Sequence, residues 1–224
     1  MTEAKVPTAW SYSAWDLWRQ CPLKYKLTKI DKLDKETSSA MIRGNRVHVA
    51  LAKHLTGTAA MPPEVTLPYH RELVGMIRDF DGMKVVEQQW GFDKTWGTTG
   101  YLGSDIWFRA VLDVGLFYDD GEVHCIDWKT GKRYDSNDEQ LELFSLAVMQ
   151  KFPQAKHVST RLVYLDAGTE QIDDHPVKGK EKLAAKWEEA ARPMLADRTW
   201  PARPNDKCGF CPFGRGKGGQ CRHG

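Results

Sequence analysis

The run Leu112-Asp113-Val114-Gly115-Leu116-Phe117-Tyr118-Asp119-Asp120-Gly121-Glu122-Val123-His124-Cys125-Ile126-Asp127-Trp128-Lys129 sets two apolar, β-branched segments on either side of Asp119-Asp120-Gly121. A three-residue loop with glycine in the left-handed position is a common hairpin connection. With that loop Tyr118 faces Glu122, and counting outward sets Asp113 opposite Asp127. Side chains two apart on a strand share a face, so Lys129 joins them. Leu112, Val114, Leu116 and Ile126 then form the other, core-facing side. Two carboxylates at cross-strand distance repel, so one holds a proton or a cation lies between them. A hard divalent ion such as Mg²⁺, which takes oxygen ligands, resolves the conflict. Taken alone, the triplet also fits an exposed sheet edge with Lys129 as an ion-pair partner.

Outward from the hairpin, Lys84–Phe92 and the extension back to Ile106 read as strands, and His157–Leu165 as another. Ser13 to Asp16 reads as a capping box opening a helix that Pro22 interrupts. Ala40–Leu55 carries Met41, Gly44, Val47, Leu51 and Leu55 at helical spacing. Further helices are expected over Tyr69–Phe80, from the capping box Ser136–Glu139 to Gln150, and over Lys180–Leu195. Helices, then a strand meander, then helix, strand and helix indicate an α/β core with a mixed sheet.

At 224 residues, 41% hydrophobic and 28% charged, the chain suits one soluble domain. No apolar run approaches the roughly 20 residues of a membrane span, and the start lacks a signal-peptide layout, so a cytoplasmic protein, bacterial or in a phage-infected host cell, is expected. The net charge of +2 gives no general argument for nucleic acid. Basic residues do cluster locally, as Lys24, Lys26, Lys29 and Lys32, and as Lys207, Arg215, Lys217 and Arg222. The five cysteines of a cytosolic chain stay reduced. Cys21, Cys208, Cys211 and Cys221 could meet if the chain ends meet, as ligands of Zn²⁺ or of an iron–sulfur cluster. One C-x-x-C pair with two single cysteines favours [4Fe–4S] over a zinc ribbon, which offers two pairs. Cys125 reads as a small packing residue.

In this company the chain resembles the RecB-like branch of the PD-(D/E)xK nucleases, including Cas4-like proteins and phage exonucleases. Ser11-Tyr12-Ser13, Gln20-Cys21-Pro22 and Tyr25 look like the family's opening segment, and Gly44-Asn45-Arg46-Val47-His48 like its G-x-x-x-H helix. Asp113 and Asp127-Trp128-Lys129 look like its acidic motifs and lysine. Gln140-Leu141-Glu142-Leu143-Phe144 resembles its Q-x-x-x-Y helix, with Phe144 lacking the tyrosine hydroxyl. Cys208-Gly209-Phe210-Cys211 and Cys221 resemble the terminal cysteines that, with an early one, hold an iron–sulfur cluster in many members.

The resemblance implies a restriction-endonuclease-like core and phosphodiester hydrolysis. Asp113, Asp127, His48 and the Trp128 carbonyl would bind Mg²⁺ or Mn²⁺. Lys129 would orient the attacking water and steady the phosphate, and Gln140 would support the site. The expected organisation is a single nuclease domain over 1–224 with its core at 40–196, the segments 1–35 and 201–224 joining around the cysteines. DNA is the implied substrate, with Arg109, Lys24, Arg215 and Lys217 as its expected contacts. Arg109 could equally pair with a carboxylate, and Glu87 reads as an exposed strand residue in preference to a further acidic contributor on the strand before the hairpin. Two other readings stay open. One is a non-catalytic nucleic-acid-binding module; the other is a nuclease subunit active only within a recombination or CRISPR-adaptation complex.

Overall fold

The computed structural model describes residues 6–33, 39–131 and 137–223. Six strands form one mixed sheet in the order β2-β1-β3-β4-β5-β6, comprising β1 (Met83–Phe92), β2 (Thr98–Thr99), β3 (Phe108–Phe117), β4 (Glu122–Lys129), β5 (His157–Tyr164) and β6 (Thr169–Pro176). Only β4 and β5 pair in parallel. Their crossover runs through the helix α5 (Asn137–Lys151), as a parallel connection requires. The fold is thus α/β, helices flanking a central mixed sheet in the restriction-endonuclease-like manner.

Two helical layers cover the sheet. On one face α3 (Ser39–Leu55) and α4 (Pro68–Arg78) press Val47, Leu51, Val74 and Ile77 against Val114, Leu116, Ile126 and Trp128. On the other, α1 (Tyr12–Gln20), α5 and α6 (Lys180–Ala196) bury Trp15, Leu146 and Trp187 with Trp10, Phe108, Leu112 and Cys125. Between α1 and the linker to α3, Pro22 opens the short α2 (Pro22–Tyr25), which runs on into a wide turn over Lys26–Ile30. Among the described residues no helix is long and apolar enough to cross a membrane.

The hairpin register is as the sequence predicts. Tyr118 N–H donates to the Glu122 carbonyl, Gly121 has φ +94°, and Val114 pairs with Ile126. The expectation that Leu112, Val114 and Leu116 share a face is wrong. Leu112 packs in the layer of α1, α5 and α6, whereas Val114 and Leu116 pack in the layer of α3 and α4. The reversal has a partner on β1, where Val86 lies with the α3 layer but Trp90 and Phe92 with the opposite one. Between them sits Glu87, a non-glycine residue at φ +50°. Pairing continues in one register on both sides, Val86 with Val114 and Gln88 with Leu112, while Glu87 and Asp113 are not bonded as a pair. The two strands therefore exchange faces together at Glu87 and Asp113, forming a crease in the sheet.

Other expectations need smaller corrections. The N-cap of α1 is Ser11, not Ser13. Ser11 is the residue with extended backbone, and its hydroxyl accepts from Ala14 N–H. The strand β6 was not anticipated, because Thr169–Pro176 is a polar edge strand with little apolar alternation. The capping residue Ser136 lies outside the described residues.

Trp187 is 1% exposed, with its ring centroid 5.1 Å from Trp15 and 6.0 Å from Trp10. Replacing a buried tryptophan by alanine removes its packing and leaves a cavity. Trp187→Ala is therefore expected to lower unfolding free energy in urea by about 3–5 kcal/mol; a loss under about 1 kcal/mol would contradict this account of the core.

Candidate active site

The crease brings the acidic residues together. Because β1, β3 and β4 keep register, Glu87, Asp113 and Asp127 occupy one row across three neighbouring strands. The β3–β4 ladder ends at Val114 and Ile126, one step before the two aspartates. There the side chain of Asp113 replaces the missing backbone partner, its Oδ2 accepting the Trp128 N–H at 2.9 Å. Asp113 and Asp127 are buried, 6% and 5% exposed, which excludes the exposed sheet edge. A buried charge needs a partner, and each aspartate has one.

Asp113 faces α3. Helix α3 approaches the end of β4 closely: a Cβ on Gly44 would lie 3.4 Å from Thr130 Oγ1, and Arg43 Nη1 donates to the Thr130 carbonyl at 3.3 Å. Arg43 also makes a two-pronged ion pair with Asp166 beyond β5, at 2.7 and 2.8 Å. One turn on from Gly44, His48 Nδ1 lies 3.2 Å from Asp113 Oδ2. Donor atoms of His48, Glu87 and Asp113 lie within 4.8 Å of one another, the one such group of potential metal ligands among the described residues.

Asp127 faces the other way. Its Oδ2 pairs with Lys129 Nζ at 2.7 Å, and its Oδ1 accepts from Gln140 Nε2 on α5 at 3.3 Å. The structure groups five of the expected residues in two halves, His48 with Asp113, and Asp127 with Lys129 and Gln140. The expected shared face holds for Asp127 and Lys129, whereas Asp113 turns toward α3. Glu87, preferred from the sequence as an exposed strand residue over a further acidic contributor, is exposed and yet stands in this group. Counting the register to β1 would have found it opposite Asp113, but its alternation pattern is that of a surface strand.

Packing these charges shifts their titration. Burial opposes the His48 imidazolium, but the hydrogen bond to Asp113 and the charges of Asp113, Asp127 and Glu87 prevail and raise it to about 9. Burial raises Asp127 to about 6; Lys129 opposes this shift and Asp113 adds to it. For Lys129 burial favours loss of the proton, yet Asp127 keeps the ammonium charged and its pKa raised. Burial and the charge of Asp113 raise Glu87 as well. An imidazole nitrogen with two or three carboxylates is a donor set that suits a divalent ion such as Mg²⁺ or Mn²⁺. The residues fit such an ion, which would relieve the crowding of like charge.

The two cysteine-bearing segments do meet. Cys21, Cys208, Cys211 and Cys221 line one pocket with Lys24 and Lys207. Backbone N–H groups of Arg203 and Asn205 point at the sulfurs of Cys21 and Cys208, at 3.4 and 3.3 Å. Asn205 Nδ2 donates to the Gln20 carbonyl, Leu23 N–H to the Pro201 carbonyl, and the Arg203 guanidinium to the Arg19 carbonyl. Among the described residues no three cysteine sulfurs lie within 4.8 Å of one another. A single tetrahedral zinc with Zn–S of about 2.3 Å would draw its sulfurs to within about 3.8 Å. Cys125 is buried in the core and its thiol is pushed up to about 12 by burial, as befits a packing residue.

The expected DNA contacts are scattered. Arg109 lines a cleft with Trp10, Lys29 and Lys32, its Nε donating to the Tyr101 carbonyl at 3.0 Å. Among the described residues it makes no ion pair with a carboxylate. Lys24 borders the cysteine pocket, and Arg215 and Lys217 lie in a short helical turn near it.

A family model described as the PD-(D/E)XK nuclease superfamily matches residues 9–74 and 69–215. No curated protein matches the sequence. Among solved structures, a candidate exonuclease from Eubacterium rectale is 11% identical with a TM-score of 0.50, covering 91% of this chain and 88% of its own. The protein SSO0001 is 14% identical with a TM-score of 0.47, covering 95% of this chain and 87% of its own.

The raised groups make stability depend on pH. The fold favours the His48 imidazolium, so that contribution is complete below pH 6.5 and lost as pH rises toward about 9. Protonated Asp127 acts in the same sense, its contribution complete below 3.8 and lost through about 6. In EDTA the melting temperature is expected to fall from pH 6.5 to 9, and His48→Gln to flatten that slope. An equal slope in the variant would show that His48 is not held as an imidazolium.

Proposed function

The chain belongs to the PD-(D/E)XK nuclease superfamily, and from that premise we propose that it is a Mg²⁺- or Mn²⁺-dependent deoxyribonuclease of the RecB-like, Cas4-like branch. Its activity is that of a cytoplasmic exonuclease, serving DNA recombination and repair or phage DNA processing. Residues 1–224 act as one domain, with the core at 40–196 and the end segments 1–35 and 201–224 tied by the cysteines.

One observation carries the reading: buried Asp113 and Asp127 stand side by side on the row, one backed by His48 and the other by Lys129. His48, Asp113, Asp127 and the Trp128 carbonyl are the ligands in this reading. When bound, the divalent ion lowers the pKa of its water and offsets charge building on the phosphate. Lys129, held by its 2.7 Å pair with Asp127, donates in this reading to a non-bridging phosphate oxygen or to the attacking water. Gln140 holds the second oxygen of Asp127 and so fixes that carboxylate's rotation. The Trp128 N–H does the same for Asp113. Orientation of this kind is what a hydrolytic site needs before substrate arrives.

The cysteine pocket is read as a structural [4Fe–4S] site held by Cys21, Cys208, Cys211 and Cys221. What supports a shared site is that the four cysteines line one pocket, with amide N–H groups aimed at the sulfurs of Cys21 and Cys208. DNA contacts are assigned to Arg109, with Lys24, Arg215 and Lys217 near the cysteine pocket.

End-labelled DNA incubated with Mg²⁺ or Mn²⁺ is expected to be degraded by the wild type. Lys129→Ala should be slower by about a hundredfold or more, the loss typical of removing one charge-stabilising donor, and Asp127→Ala inactive. Equal activity in all three would refute the assignment. Anaerobically purified protein is expected to be brown, absorbing visible light as a thiolate-ligated iron cluster does. Colourless protein carrying zinc would replace the cluster with a mononuclear site.

A further inference from the structure

Glu87 is strained without a reason internal to the sheet. A bulge would place an extra residue in one strand, yet Val86 still pairs with Val114 and Gln88 with Leu112, so none has been inserted. A glutamate at φ +50° is nevertheless kept there, in a region that costs any side-chain-bearing residue stability. Its consequence is directional. The strand turns over at this residue, and the carboxylate comes within 4.8 Å of the donor atoms of both His48 and Asp113. Among the described residues Glu87 forms no ion pair with a lysine or arginine, unlike Asp127, which holds Lys129. Two carboxylates facing each other on neighbouring strands repel, and His48 is already shared with Asp113.

We infer that Glu87 is a ligand of the divalent cation, completing with His48 and Asp113 a three-donor set on the α3 side of the crease. The inference rests on the nuclease reading above and adds a donor that none of the sequence motifs supplies. One imidazole nitrogen and two carboxylates leave open positions for water and a phosphate oxygen, as a catalytic divalent site requires. The division of labour on the row follows. Glu87 and Asp113 hold the ion from one side, and Asp127 meets it from the other while anchoring Lys129. The left-handed backbone at Glu87 is then strain kept for function, the strand being turned over so that a β1 carboxylate reaches the site.

The test is Mn²⁺ binding to the full-length chain without DNA, followed by electron paramagnetic resonance of the free ion and by calorimetry. Glu87→Gln is expected to weaken Mn²⁺ binding at least tenfold. Glu87→Gly is expected to weaken it equally while the metal-free melting temperature stays level or rises, because glycine adopts positive φ without strain. The proposal is overturned if both variants bind Mn²⁺ as tightly as the wild type while Asp113→Asn does not. It is also overturned if both lose affinity only together with their fold, which would give Glu87 a structural role. Failure of the wild type itself to bind Mn²⁺ would remove the nuclease reading and this inference together, a result distinct from either of the others.

Discussion

Carboxylates crowded on neighbouring strands repel one another, and the architecture around Glu87, Asp113 and Asp127 is arranged to hold them there. The strands β1 and β3 turn over together at the row, so the sheet presents the acids where the layers of α3 and α5 both reach them. Each helix then supplies what a bare row of acids lacks: His48 from α3 to Asp113, and Gln140 from α5 to Asp127. The Trp128 N–H released at the end of the β3–β4 ladder is taken up by Asp113, so the ladder's loss is the site's gain in rigidity. Lys129, two residues beyond Asp127 on the same strand, brings the one ammonium paired with the row among the described residues. Burial, which would eject lone charges, here strengthens the attraction of the group for a cation.

The distribution of donors gives the site two ends with different tasks. Toward α3 lie an imidazole and two carboxylates, a set of metal-ligand character. Toward α5 lie a carboxylate, an ammonium and an amide, the set that the proposed function assigns to orienting a nucleophile and a phosphate. Asp113 stands between the two, which makes it the residue whose loss both ends would feel. The helix α3 is locked in place by Gly44 against Thr130 and by the Arg43–Asp166 pair, so His48 is positioned by packing and not by its own hydrogen bond alone. Far from the row, the tail fastens to α1 and α2 through Gln20, Leu23 and the cysteine pocket.

Much of this was legible before any coordinates. Read as a three-residue loop, Asp119-Asp120-Gly121 sets Asp113 opposite Asp127, whereas a two-residue turn would have put them on opposite faces; the structure has the former, with Gly121 at positive φ. The helix of His48 was visible in the spacing of Val47, Leu51 and Leu55. The exchange of faces was not legible. Leu112 and Val114 are both apolar and two apart, and nothing local says that one belongs to each layer. That depends on the backbone at Glu87, a residue whose type gives no hint of positive φ. The strand β6 was hidden for another reason, as a polar edge strand gains its partner from β5 and not from burial. The coming together of the distant cysteines was visible only as chemistry, since chain-end proximity is a property of the whole fold.

Anomalous X-ray diffraction from crystals soaked in Mn²⁺ tests the central claim most directly. A strong manganese peak is expected at coordination distance from Asp113, with His48 and Glu87 around it and Asp127 on its far side. A row of acids with no peak beside Asp113, in crystals where manganese is bound elsewhere on the chain, would contradict it.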